Sequence, residues 1–146
     1  MDFIVTDREG IEDGVLVRSS YIVISIYDPD APVPRVKQQP GLRAVLQLAF
    51  DDAEPTTSPI LAGQMVLMAP AQARQIWDFI ANHKEQVEAV VVHCEMGMSR
   101  SPAVAAALCK AMGGDDRQFW LDYQPNLYVY RLMLEAAPKE VYGQDL

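Results

Sequence analysis

Ala89-Val90-Val91-Val92-His93-Cys94-Glu95-Met96-Gly97-Met98-Ser99-Arg100-Ser101-Pro102 is the stretch whose reading decides the fold of this chain. The run from Ala89 to Val92 has the pattern of a short strand buried on both faces of a parallel sheet. Pro102 suits a first helical turn, and the segment AVAAALCKAM after it predicts a helix that stops at Gly113-Gly114. A strand end, a short loop and a helix N-terminus together build an anion cradle. Successive loop N–H groups and the positive end of the helix macrodipole converge there on one point. Gly97 permits the positive φ that lets the amides converge. Arg100 supplies a planar fork matched to two oxygens of a phosphoryl group.

Upstream, Tyr21 to Tyr27 (YIVISIY) is a second strand, rich in β-branched and aromatic residues and stopped by Asp28-Pro29-Asp30-Ala31-Pro32. The Pro-rich residues Pro32 to Gly41 read as a loop. Ala44 to Phe50 (AVLQLAF) is a third strand, ending at Asp51-Asp52. Pro59 to Ala69 is mostly apolar without a period, and Met65 to Met68 suit a strand or a helix equally. After Pro70, the residues Ala73, Ile76, Trp77, Ile80 and Ala81 recur at helical spacing and predict an amphipathic helix. Downstream, Asp115 or Asp116 caps a helix through Gln124, and Asn126 caps a last one from Leu127 to Ala137. This order of elements predicts an α/β fold with a central, mostly parallel sheet flanked by helices. The 146 residues suit one domain spanning 1–146.

Twelve Lys and Arg against twenty Asp and Glu give a formal charge of -8. Such a field repels nucleic acid and anionic membrane, so neither is an expected partner, and any anionic ligand must be held by a local device. No stretch approaches the roughly 20 apolar residues of a membrane span. Met1 to Glu9, with three acidic residues and no long apolar run, is not a signal peptide. Two cysteines make no disulfide framework, and a reducing cytoplasm fits best. Cys109 lies some two turns along the helix from Ser101, where core packing explains it. Neither His83 nor His93 has a second ligand at metal spacing, so no metal and no cofactor is expected.

Cys94 stands at the mouth of the cradle. A thiolate at a helix N-terminus beside a guanidinium is stabilised relative to the thiol, which makes it the expected nucleophile. A buried structural thiol is the common fate of a free Cys, but the combination with Gly97, Arg100 and a Pro-started helix argues against it here. His93 is expected to order the loop through hydrogen bonds. Ser101 is placed to donate a hydrogen bond to the sulfur as it leaves.

The pattern H-C-x-x-G-x-x-R-S at His93 to Ser101 resembles the signature of the cysteine-dependent protein tyrosine phosphatase superfamily. VVVHC and SRSPAVAAAL look like its dual-specificity branch, and Pro125-Asn126 with Tyr128, Tyr130 and Leu132 resembles that branch's late helix. The resemblance implies a dual-specificity-type phosphatase fold. It also implies a two-step reaction: the Cys94 thiolate attacks phosphorus, and the phosphocysteine is then hydrolysed. Glu95, Met96, Gly97, Met98, Ser99 and Arg100 would cradle the phosphoryl group, and His93 and Asn126 would be structural supports.

The reaction also needs an aspartic acid from another loop. Asp78 falls inside a predicted helix, whereas Phe50-Asp51-Asp52-Ala53-Glu54-Pro55 looks like the F-x-D-x-x-P pattern of some family members, which selects Asp52 with Asp51 as the alternative. Asp52 and Cys94 lie 42 positions apart, more than in small members of the family, and an insertion within Thr56 to Ala69 would account for it. The loop carries no Lys and no added Arg, which favours a phosphorylated protein or another phosphomonoester over a highly phosphorylated substrate. Without a phosphotyrosine-recognition loop, phosphotyrosine, phosphoserine and phosphothreonine are all admitted. The alternative class is a catalytically weak or silent phosphate-binding module using the same loop. Arsenate reduction or sulfur transfer would need another reactive thiol. The sequence carries no docking motif and no signature of oligomerisation.

Overall fold

The two most apolar segments become the two central strands. In the computed structural model, which describes residues 1–55 and 63–139, β2 (Tyr21–Tyr27) and β4 (Ala89–His93) are buried almost throughout. β1 (Asp2–Thr6) flanks β4 and β3 (Leu42–Ala49) flanks β2, giving the order β1-β4-β2-β3 with every pairing parallel. The register sets Thr6, His93 and Ser25 side by side at the C-terminal ends of three strands. Loops leaving those ends therefore converge, the usual place for a ligand site in an open parallel sheet.

Among the described residues, α1 (Arg8–Asp13) covers one face of the sheet, where Ile11 meets Tyr21, Val23 and Val91. On the other face lie α2 (Pro70–His83), α3 (Arg100–Ala111) and α5 (Leu127–Ala136), around Ile22, Ile24, Val90 and Val92. The apolar stripe of α2 is buried at Ala73, Ile76, Trp77 and Ile80, and the Trp77 indole N–H donates to the Met133 carbonyl at 2.8 Å, tying α2 to α5. The first nine residues of α3 are buried, and its run of alanines lets it lie against the sheet and α5 without an exposed face. Ser99, the residue before α3, makes no side-chain cap, so the first N–H groups of this helix have no covering side chain.

Two differences from the sequence reading have physical causes. β1 and α1 were not anticipated: β1 is a five-residue edge strand that is only half-buried, and it forms against β4, more than 80 residues away. α4 (Arg117–Asp122) stops short of Gln124 because the Gln124 amide is held by the Met98 carbonyl at 3.0 Å. Of the two candidate caps, Asp115 accepts from the first helical N–H, that of Arg117, at 3.0 Å, while the Asp116 carboxylate accepts from Tyr130 and Trp120. Met65 to Met68 form neither strand nor helix. The insertion expected within Thr56 to Ala69 lies partly in residues 56–62, outside the described residues. Among the described residues, no helix is long and apolar enough to cross a membrane.

Candidate active site

The loop from β4 to α3 is held from outside by its carbonyls. Arg8 N–H donates to the Glu95 carbonyl (3.3 Å), Gln124 N–H to that of Met98 (3.0 Å) and Asn126 N–H to that of Ser99 (3.1 Å). With the carbonyls turned toward this frame, the amides face the other way. None of the N–H groups from Glu95 to Arg100 donates to another described residue. Six open amides at a helix N-terminus form a concave donor array for an oxyanion. Gly97 makes the turn at φ 69°, and a Cβ there would come within 3.0 Å of the Thr6 carbonyl carbon. Both the conformation and the space therefore demand glycine.

Cys94 is buried in this array, with its Sγ 3.1 Å from the Ser101 hydroxyl. His93 is wholly buried. Its Nδ1–H donates to the Cys94 carbonyl (3.2 Å), so Nε2 accepts from the Ser25 hydroxyl (2.6 Å). Burial holds the imidazole below the usual histidine range, against the opposing pull of the Cys94 carbonyl, and the neutral ring braces the end of β4.

Arg100 is buried. Its Nη1 donates to the Asp28 carboxylate and to the Phe50 carbonyl, each at 2.7 Å. Nε has no partner although it is buried, and among the described residues no hydrogen bond engages Nη2. One edge of the guanidinium is thus fixed by the ends of β2 and β3, and the other is unspent. A buried donor without an acceptor is costly, and an anionic ligand would satisfy it.

Asp52 reaches this centre from the end of β3. Its Oδ1 accepts from the Ser99 hydroxyl (2.8 Å) and from Asn126 Nδ2 (2.9 Å), which leaves Oδ2 unbound among the described residues. Asp51 faces elsewhere: its carboxylate accepts from Val66 N–H at 2.8 Å, beside Asp30 and Met65. Asn126 holds three elements together. Its Oδ1 caps α5 through Val129 N–H (3.0 Å), while Nδ2 donates to Asp52 and to the Ala53 carbonyl (3.2 Å).

Cys94, Arg100, Ser99, Asp52, Met96, Met98 and Gln124 line one cleft of about 320 Å³, with Met96 (77% exposed) and Met98 (45%) forming an apolar rim. The Glu95 side chain is not in it; its carboxylate pairs with Arg8. Cys109 is half-buried, 3.4 Å from the Asp115 carbonyl, and burial with Asp116 and Asp115 nearby pushes its thiol up. Sequence reasoning missed Ser25, Asp28, Arg8 and Gln124. Gln124 and the Arg8 N–H act through backbone bonds to the loop, for which a sequence carries no signal, and Asp28 had been read only as part of a strand stop.

A cysteine ringed by open amides, a half-spent guanidinium and a tethered carboxylate together form a site suited to an oxyanion. A family model described as "Tyrosine phosphatase family" matches residues 7–141, and the chain belongs to that family. Among solved structures, human DUSP28 is similar over 98% of this chain and 95% of its own, with a TM-score of 0.59 and 16% identity. A mouse putative dual specificity phosphatase complexed with zinc tungstate is 19% identical, over 92% of this chain and 80% of its own, with a TM-score of 0.50. Tk-PTP in its active form is 17% identical, over 91% and 90%, also at 0.50. At these identities the likeness is one of fold. Comparison with curated proteins gave no match.

Proposed function

We propose that this chain hydrolyses phosphomonoesters, with phosphotyrosine and phosphoserine or phosphothreonine in proteins as the substrate class, through a phosphocysteine intermediate. The observation that carries the reading is the set of six amides around Cys94 that have no partner among the described residues, completed by the free edge of Arg100. The array suits a phosphoryl dianion, which keeps its charge through transfer and needs fixed donors rather than a net basic protein.

In the first step the Cys94 thiolate attacks phosphorus. The S–P bond forms, the P–O ester bond breaks, and the leaving oxygen takes the proton carried on Asp52 Oδ2. In the second step water attacks phosphorus, Asp52 accepts its proton, and the S–P bond breaks to return the thiolate. The Ser101 hydroxyl, 3.1 Å from Sγ, donates to the sulfur as it departs. Among the described residues the cleft carries Arg100 as its only cationic lining residue, which suits a monophosphate. The deformable thioether rim accepts varied side chains beside the phosphate. Both cysteines are free, consistent with work in a reducing cytoplasm.

The test is hydrolysis of an aryl phosphate without added metal, by the wild-type chain and by Cys94→Ser. Turnover that disappears in the variant, while inorganic phosphate still binds, is the expected outcome. Full activity in Cys94→Ser would overturn the reading.

A further inference from the structure

Glu95 adjoins the nucleophile, where a free carboxylate would repel an incoming dianion. It is not free. Arg8 Nη1 donates to Glu95 Oε1 at 3.1 Å, and the Asp28 N–H points to the same oxygen at 3.4 Å. The Arg8 guanidinium is itself fixed, with Nη2 donating to the Pro32 carbonyl at 2.6 Å and Nε 3.6 Å from the Glu12 carboxylate. The side chains of the pair are 19% and 21% exposed, so solvent screens it less than a surface ion pair.

Among the described residues Arg8 is also the only cation lining a second, neighbouring cleft, where Asp7, Glu9, Glu12, Asp13 and Glu95 meet the exposed Met96 that rims the Cys94 cleft. The backbone just before it, Thr6 and Asp7, is the surface on which Gly97 rests.

We propose that Arg8 is a positioning residue for the phosphate loop. It draws the Glu95 carboxylate out of the cradle and neutralises it, so that the substrate dianion meets amides and Arg100 rather than a neighbouring anion. This inference rests on the phosphomonoesterase reading and assigns a task to the N-terminal helix that no residue of the signature reveals. Without Arg8, Glu95 is released beside the site. The damage is then electrostatic and has a specific remedy: removal of the Glu95 charge.

The experiment measures affinity for inorganic phosphate and for vanadate by calorimetry, beside hydrolysis of an aryl phosphate. The proteins are the wild type, Arg8→Gln, Arg8→Lys, Glu95→Gln and the Arg8→Gln/Glu95→Gln double variant. Arg8→Gln should weaken anion binding roughly tenfold, less at high salt than at low salt. Arg8→Lys should recover most of it, and so should Glu95→Gln in the Arg8→Gln background. A merely structural role predicts the reverse for the double variant, which has lost both ends of a tether. Unchanged affinity in Arg8→Gln, or a double variant no better than the single, would overturn the inference. If the wild type binds phosphate without hydrolysing the ester, the phosphatase reading fails and the binding series still decides the role of Arg8. If it binds neither anion, both fail.

Discussion

Asp52→Asn isolates the proton. Both groups that hold Asp52 Oδ1, the Ser99 hydroxyl and Asn126 Nδ2, are donors. An asparagine at this position must therefore turn its carbonyl oxygen to them and its NH₂ into the cleft. The frame survives and the transferable proton does not. General acid catalysis is typically worth ~10²- to 10⁴-fold, or about 3 to 5 kcal/mol of barrier, and its value grows with the basicity of the leaving oxygen. For phenyl phosphate, kcat/KM should fall by that factor. For an ester of a strongly acidic phenol, which leaves without help, it should fall little. Asp51→Asn serves as the control: its carboxylate holds Val66 N–H and does not line the catalytic cleft, so leaving-group dependence should stay that of the wild type. Equal losses on both esters in Asp52→Asn, or the selective pattern in Asp51→Asn, would refute the assignment.

Arg100→Lys keeps the charge but cannot bond Asp28, the Phe50 carbonyl and two phosphate oxygens at once, so turnover should drop by roughly 10² or more and phosphate affinity with it; steady-state kinetics and calorimetry check both. Gly97→Ala puts a Cβ at 3.0 Å from Thr6 and 3.1 Å from Asp7 at φ 69°, and should cost about 1–3 kcal/mol in urea unfolding as well as anion binding. His93 has a native proton affinity held below its unfolded value of ~6.5, so its contribution to stability is complete above that pH. As pH falls below it, the unfolded chain takes up a proton that the native chain refuses, and stability declines until pH passes the lowered native value. Urea midpoints between about pH 7.5 and 5 should show this decline, and His93→Gln should flatten it; an undiminished decline in that variant would contradict the account.

The centre of the sheet and the loop from β4 to α3 were legible because their signals are local. YIVISIY and AVVV are continuous apolar runs, and the glycine, arginine and helix start around Cys94 lie within nine residues. Asp52 was legible as a carboxylate at a strand end, and Asn126 as a helix cap. What tied them together was not, because the bonds from Asn126 to Asp52 and from Arg100 to Asp28 span more than 70 residues. Glu95 shows the limit most clearly. Its position in the loop placed it in the cradle, whereas its orientation depends on Arg8, in a short helix whose N-terminal Asp7 accepts from Gly10 N–H at 2.7 Å. That helix forms where β1 docks on β4, a pairing that no local pattern in Asp2 to Thr6 announces.

The most direct test of the account is chemical capture of the intermediate. In Ser101→Ala the donor 3.1 Å from Sγ is gone, so breakdown of the phosphocysteine should become slower than its formation. Acid quench of that variant during turnover of an aryl phosphate, followed by peptide mass spectrometry, should find one phosphoryl group on the peptide containing Cys94, and none in a Cys94→Ser/Ser101→Ala control. Turnover in Ser101→Ala with a burst of phenol and no phosphoryl group on Cys94 would contradict the central claim.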